Sequence, residues 1–219
     1  MTTQRSSLDD LRDEVLAAAL PRVQFYGFSA RLLSEAAQEA GANAAQLAAL
    51  YPRGPVDMVV QYAADCDRQM ADRMQAVDLA ALKIRERAIL AIRTRIDVAG
   101  QYKLAEKRAA AFLTFPLYAA DAVQCLARTS DALWKAMGDQ SADFSYYTRR
   151  MTMGAVYSAC LLYWFTDESE GASDTQAFIE RRIADVMQFE KLKAQASKAA
   201  SGFPNPFALA GRLRYPRAR

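Results

Sequence analysis

The residues LAAALPRVQFYGFSARLLSEAAQEAGANAAQLAALYPRGPVDMV, positions 16–59, decide the fold. Leading into and through this stretch, Leu8, Leu11, Val15, Leu16, Ala19, Leu20 and Val23 recur at the spacing of one helix face. Gly27 ends that pattern where a C′ glycine is expected, and Ser29 is placed to cap a second helix over residues 30–40. That helix stops at Gly41. Asn43 then caps a short third helix, 44–51, which Pro52 and the pair Gly54-Pro55 terminate. One long helix, a tight turn and two short helices predict a helix-turn-helix domain over residues 1–54.

Outward from there, the helical period continues. From 56 to about 77, Met58, Val59, Tyr62, Cys66, Met70 and Met74 fall on one side. Residues 80–99 carry Leu82, Ile89, Ile92 and Ile96, with Lys83, Arg85, Arg87, Arg93 and Arg95 read as a solvated face because Glu86 and Asp97 interleave with them. Gly100 breaks that helix. Further helices are expected over 102–115 and 117–137, on either side of Pro116, and then over 144–165 and 175–196. The chain is therefore expected to be all-α, with nine to ten helices: the small first domain, a larger helical domain over 55–197, and a tail from 198 to 219.

Composition narrows the chemistry. The 219 residues contain no histidine, which excludes His-based acid–base chemistry, Ser-His-Asp hydrolysis and the common His-containing metal sites. Cys66, Cys125 and Cys160 lie far apart with no CxxC pair, so they read as buried inert thiols. No catalytic residue and no metal is expected. Seven basic residues and no acid fall after Glu190, which leaves the remainder of this +3 chain mildly acidic and makes the tail a cationic arm. The opening residues lack an apolar signal core, and no window reaches the 18 or so apolar residues of a membrane span. The expectation is a cytoplasmic protein, of a bacterium or a mature organelle form, with the bacterial one favoured and peripheral association with the inner membrane expected.

A second stretch, GDQSADFSYYTRR at 138–150, is more specific than folding requires. Gly138 closes one helix, and Ser141 or Asp143 can cap the next. That leaves two tyrosines and two arginines in a single turn, a mix typical of binding hot spots. Together with Trp134 and the first domain, this run resembles the ubiquinone-biosynthesis accessory proteins, the ninth member of the coenzyme Q set. Those proteins have a TetR-regulator-like fold and bind lipid. The resemblance implies a non-enzymatic protein without a cofactor, holding an isoprenoid or phospholipid. It also implies a di-iron hydroxylase as partner, engaged here through Asp139, Tyr146, Tyr147, Arg149 and Arg150. The family's usual tryptophan-tyrosine pair is Tyr146-Tyr147 in this chain.

Behind that run, MTMGAVYSACLLYWF at 151–165 is apolar almost all round and must be enclosed. Its small side, Gly154, Ala155, Ser158 and Ala159, stands beside bulky residues. An isoprenoid tunnel is expected from Phe112, Phe115, Tyr118, Trp134, Tyr157, Leu161, Trp164 and Phe165. In the tail, Phe207, Leu209, Arg212, Leu213 and Arg214 form a short cationic amphipathic segment suited to an anionic membrane surface. Residues 16–59 also resemble the DNA-binding domain of TetR-type repressors, so a ligand-responsive regulator is the alternative. The third helix opposes it: AAQLAAL offers only Gln46 to base edges, and Arg31 and Arg53 are balanced by Glu35 and Glu39. Both resembled families imply a homodimer, paired here through 117–137 or 144–165.

Overall fold

A computed structural model of the chain describes residues 2–138 and 146–201. Among these residues there are nine α-helices and no strand. Asp139, within the 138–150 run, and the tail residues Phe207, Leu209, Arg212, Leu213 and Arg214 lie outside the described residues.

The first three helices are α1 (Thr2–Tyr26), α2 (Ala30–Glu39) and α3 (Ala44–Leu50). Their ends are set by local chemistry. Gly27 takes φ +60°, which a glycine adopts freely. Ser29 accepts a hydrogen bond from Leu32 N at 3.2 Å. Asn43 Oδ1 accepts from Gln46 N at 2.9 Å, while Gln46 Oε1 accepts from Asn43 N at 2.9 Å, a reciprocal cap. Leu32, Leu33, Ala36 and Ala37 of α2 are buried, and α2 packs on α1.

This unit is tied to the rest by polar contacts. Tyr51 Oη lies within hydrogen-bond distance of the Arg12 carbonyl, 3.1 Å, and of Gln61 Oε1, 2.6 Å. Burial pushes the Tyr51 hydroxyl up to about 12. Arg53 donates to Asp57 and Asp121, each at 2.8 Å.

The larger body contains α4 (Pro55–Gln75), α5 (Ile84–Gly100), α6 (Lys103–Leu113), α7 (Ala119–Ala136), α8 (Tyr146–Trp164) and α9 (Ser173–Ser201). Helix α4 runs along α7 and α5, α7 along α8, and α9 closes over α5 and α8. Met58, Val59, Tyr62, Cys66, Met70 and Met74 of α4 are all buried, as their spacing required. The three cysteines are free and buried. Burial raises their thiols, Cys66 to about 12 and Cys160 to about 11, which keeps them protonated and inert.

Three expectations are corrected here. Residues 80–99 do not form one helix: a 3₁₀ turn at Leu79–Ala81 precedes α5, whose start is fixed by Glu86 accepting from Lys83 N at 2.7 Å. Arg95 is not on a solvated face but 1% exposed, in the middle of the bundle. Nor is α8 enclosed all round, since Met151 and Leu162 are largely exposed.

Where α7 and α8 cross, Gly154 leaves no room for a side chain. A Cβ there would stand 2.6 Å from Ser130 Oγ and 3.5 Å from Leu126 Cγ. At the other end of α8, Asp167 accepts from the backbone N–H groups of Ser169 and Thr175, each at 2.8 Å, and from both hydroxyls. These bonds orient the start of α9. Although partial burial pushes the Asp167 carboxyl up, the hydrogen bonds outweigh it and hold the group well below the usual carboxylate range.

Two measurements check this packing. Gly154→Ala should destabilise by about 1–3 kcal/mol in denaturant unfolding, and adding Ser130→Ala should recover part of the loss; an unchanged midpoint would contradict the close crossing. Asp167 stabilises fully above its unfolded pKa of about 4, and that contribution is lost as pH falls below it. The stability difference from Asp167→Asn should therefore shrink on acidification from about pH 6 to about pH 3; a constant difference would contradict the assignment.

Candidate functional site

Two cavities flank α8, and helical spacing sorts its residues between them. The first is a groove of about 290 Å³ between α5, the end of α7, the first half of α8 and α9. Its inner surface is apolar: Ala88, Met137, Met153, Val156 and Ile183 are buried. Val186 and Met187 continue the α9 wall, at the i+3 and i+4 positions from Ile183. Trp134 lines the groove with its indole N–H buried and unpartnered. Three methionines, Met137, Met153 and Met187, give the walls side chains that adapt to irregular apolar shapes. The open side carries Arg85, Thr148 and Arg149, all exposed. The groove is thus apolar along its length, with two arginines at its exposed edge.

The second cavity, about 210 Å³, lies between α4, α6, α7 and the other face of α8, with Arg95 reaching in from α5. It shares no lining residue with the groove. Its floor is an ion network. Arg95 Nε donates to Asp67 Oδ1 at 2.8 Å, and Nη2 stands 3.6 Å from Glu106 Oε1. Thr129 Oγ1 donates to Asp67 Oδ2 at 2.9 Å, and the guanidinium lies 5.7 Å from the centre of the Tyr157 ring. Burial raises the Asp67 carboxyl, opposed by Arg95 and by the Thr129 hydrogen bond. Burial also works against the charge of Arg95, yet the groups around it, Tyr157 and Glu106 foremost, hold its pKa well above the ordinary value.

The residues expected to line a single tunnel are distributed differently. Trp134 lines the groove, while Tyr157 and Leu161 line the second cavity. Phe112 and Tyr118 stack on each other at 4.5 Å, and Phe115 is 62% exposed. Trp164 is buried against Phe165, with Lys103 Nζ 5.1 Å from its ring centre. None of these five lines either cavity. The α9 wall of Ile183, Val186 and Met187 is absent from the expected tunnel, although these residues share one helix face.

Of the residues expected to meet a partner, Tyr146 and Tyr147 open α8. Arg149 stands at the groove mouth. Arg150 turns inward instead: its Nε donates to Asp131 of α7 at 2.7 Å. Lys135 Nζ lies 2.7 Å from the other oxygen of Asp131. Despite partial burial, these two cations hold the Asp131 carboxyl below its ordinary value.

Comparison with known proteins places this geometry. The COQ9 family profile matches residues 119–190, which span α7, α8 and most of α9. The human mitochondrial ubiquinone biosynthesis protein COQ9 is 28% identical over 188 residues, covering 83% of this chain and 59% of the human protein. The bovine protein is 29% identical with the same coverage, and that of Drosophila melanogaster is 24% identical over 93% of this chain and 64% of its own length. The chain thus spans about three fifths of the curated relatives it matches. Among solved structures, a TetR transcriptional regulator from Nitrosomonas europaea superposes with a TM-score of 0.64 at 19% identity, covering 80% of this chain and 97% of the regulator. The fold is all-α and TetR-like, and the resemblance to the ubiquinone-biosynthesis proteins is borne out.

One expectation is overturned by these relatives. They are mitochondrial proteins, not bacterial cytoplasmic ones. The expectation had rested on the lack of an apolar signal core, a feature that mitochondrial targeting does not require, because transit peptides are amphipathic and arginine-rich.

Proposed function

We propose that this chain is a non-enzymatic accessory protein of ubiquinone biosynthesis. It takes the isoprenoid chain of a quinone precursor into the α5–α8–α9 groove and presents the ring to a di-iron hydroxylase. The observation that carries this reading is the position of the groove: its open side lies at the first turns of α8, where Arg149 and the positions of Tyr146 and Tyr147 stand. A lipid chain leaving a bilayer loses about 0.8 kcal/mol per CH₂ if it meets water. An apolar groove replaces that environment, so transfer from membrane to protein proceeds without a large penalty. The polar end then remains at the mouth, beside the residues read as a partner surface.

The exposed apolar side chains Val123 on α7 and Met151 and Leu162 on α8 support pairing of two copies through this helix pair. A DNA-binding role is disfavoured by the first domain. Gln46, the one side chain of α3 suited to reading base edges, is engaged in the reciprocal cap with Asn43. Arg31 pairs with Glu35 at 2.8 Å and Arg53 with Asp57 and Asp121, so these cations are already compensated within the chain.

Two experiments test the reading. Mass spectrometry of an organic extract from the purified protein should recover an isoprenoid quinone or related lipid. Val156→Phe, which fills the groove, should lose most of that lipid while keeping its melting temperature; undiminished lipid in the folded variant would contradict the assignment. On DNA-cellulose the protein should elute at low salt; retention with a steep salt dependence would favour a regulator.

A further inference from the structure

The second cavity carries a concentration of unsatisfied polar atoms that its structural role does not explain. Arg95 Nη1, Glu106 Oε2, Tyr62 Oη and Tyr157 Oη are all buried and make no hydrogen bond. Their side chains belong to residues only 1%, 6%, 2% and 4% exposed, and all four residues line the one cavity. Proteins pair nearly all buried polar groups, and each orphan lowers stability. A phenylalanine in place of Tyr157 would fill the same space without that penalty. Tyr62 Oη stands close to Glu106, whose charge and polar contact add to burial in raising the tyrosine hydroxyl, but the contact falls short of ordinary hydrogen-bond geometry. The remaining walls are apolar, with Val59, Leu113, Leu126 and Leu161 among them.

We propose that this cavity is a binding site for a neutral, ring-sized molecule bearing a hydroxyl beside a second oxygen acceptor, held by Arg95, Glu106, Tyr62 and Tyr157. Size sets the first limit: apolar cavities of about 150 Å³ accept benzene, so about 210 Å³ accommodates a substituted ring. Charge sets the second. Arg95 is already balanced by Asp67 and Glu106, so an added anion meets two carboxylates and an added cation meets the guanidinium. Hydrogen-bond polarity sets the third. Arg95 Nη1 only donates and an ionised Glu106 Oε2 only accepts, so the ligand supplies both an acceptor and an O–H. The two tyrosine hydroxyls adapt to either need. Because this cavity and the lipid groove have separate linings, the proposal stands or falls independently of the lipid reading.

The test uses 2-methoxyphenol as probe, with toluene and benzoate for comparison, in saturation-transfer NMR titrations of the full chain. The probe should bind, with toluene and benzoate each about ten-fold weaker or worse. Tyr157→Phe should weaken the probe about ten-fold without lowering the melting temperature, since the hydroxyl it removes has no partner in the protein. Val156→Phe, which fills the groove, should leave probe affinity unchanged. The proposal is overturned if the probe shows no transfer, if toluene binds as well, if Tyr157→Phe binds like the parent or melts lower, or if Val156→Phe abolishes binding.

Discussion

Everything in the larger body is arranged around one buried cation. Arg95 of α5 pairs with Asp67 of α4 and Glu106 of α6 and lies against Tyr157 of α8, while Thr129 of α7 joins through Asp67, so five helices meet in one network. A charge removed from water is tolerable only when partners replace its solvation, and stripping one partner from such a pair typically costs about 3–5 kcal/mol. The bundle is therefore constrained to a single register here. Helices that slid or rotated would leave an uncompensated ion in apolar surroundings, which no amount of nearby leucine and methionine offsets.

With α8 held on one side by Tyr157 and brought close to α7 at Gly154, its two faces acquire different surroundings. Met153 and Val156 look into the α9-covered groove, and Tyr157, Ser158 and Leu161 into the cavity floored by the ion network. Arg150 reinforces the same placement through Asp131. The conspicuous arginine pair thus divides its work: one member braces α8 on α7, and the other stands at the groove mouth. An apolar groove and a smaller cavity with a polar floor, on opposite faces of one helix, follow from that geometry.

Much of the fold was legible because its signals are local. Gly27, Ser29, Asn43 and Pro55 act within a turn of where they stand, and the α4 face repeats at helical spacing along 17 residues from Met58 to Met74. The ion network was not legible, for a physical reason. A charged residue is ordinarily solvated, and Asp67 and Glu106, the acids that make burial of Arg95 possible, lie on other helices. A hint was present: Arg95 falls three positions after Ile92 and seven after Ala88, on the buried face of α5. The groove was half legible. Trp134 was identified, but α9 supplies its opposite wall, and one sequence does not say which amphipathic stripe faces which. The tunnel aromatics failed for the same reason, since Phe115 and Trp164 are both bulky and only the packing makes one a surface residue and the other core.

Helix α8 separates an apolar groove from a polar cavity. The most direct measurement is a crystal structure of the protein purified with its native lipid. Continuous density of chain-like shape against Met153, Val156 and Ile183 is the predicted result. Density confined to the Arg95 cavity, or a groove closed by its own side chains with lipid bound elsewhere, would contradict it.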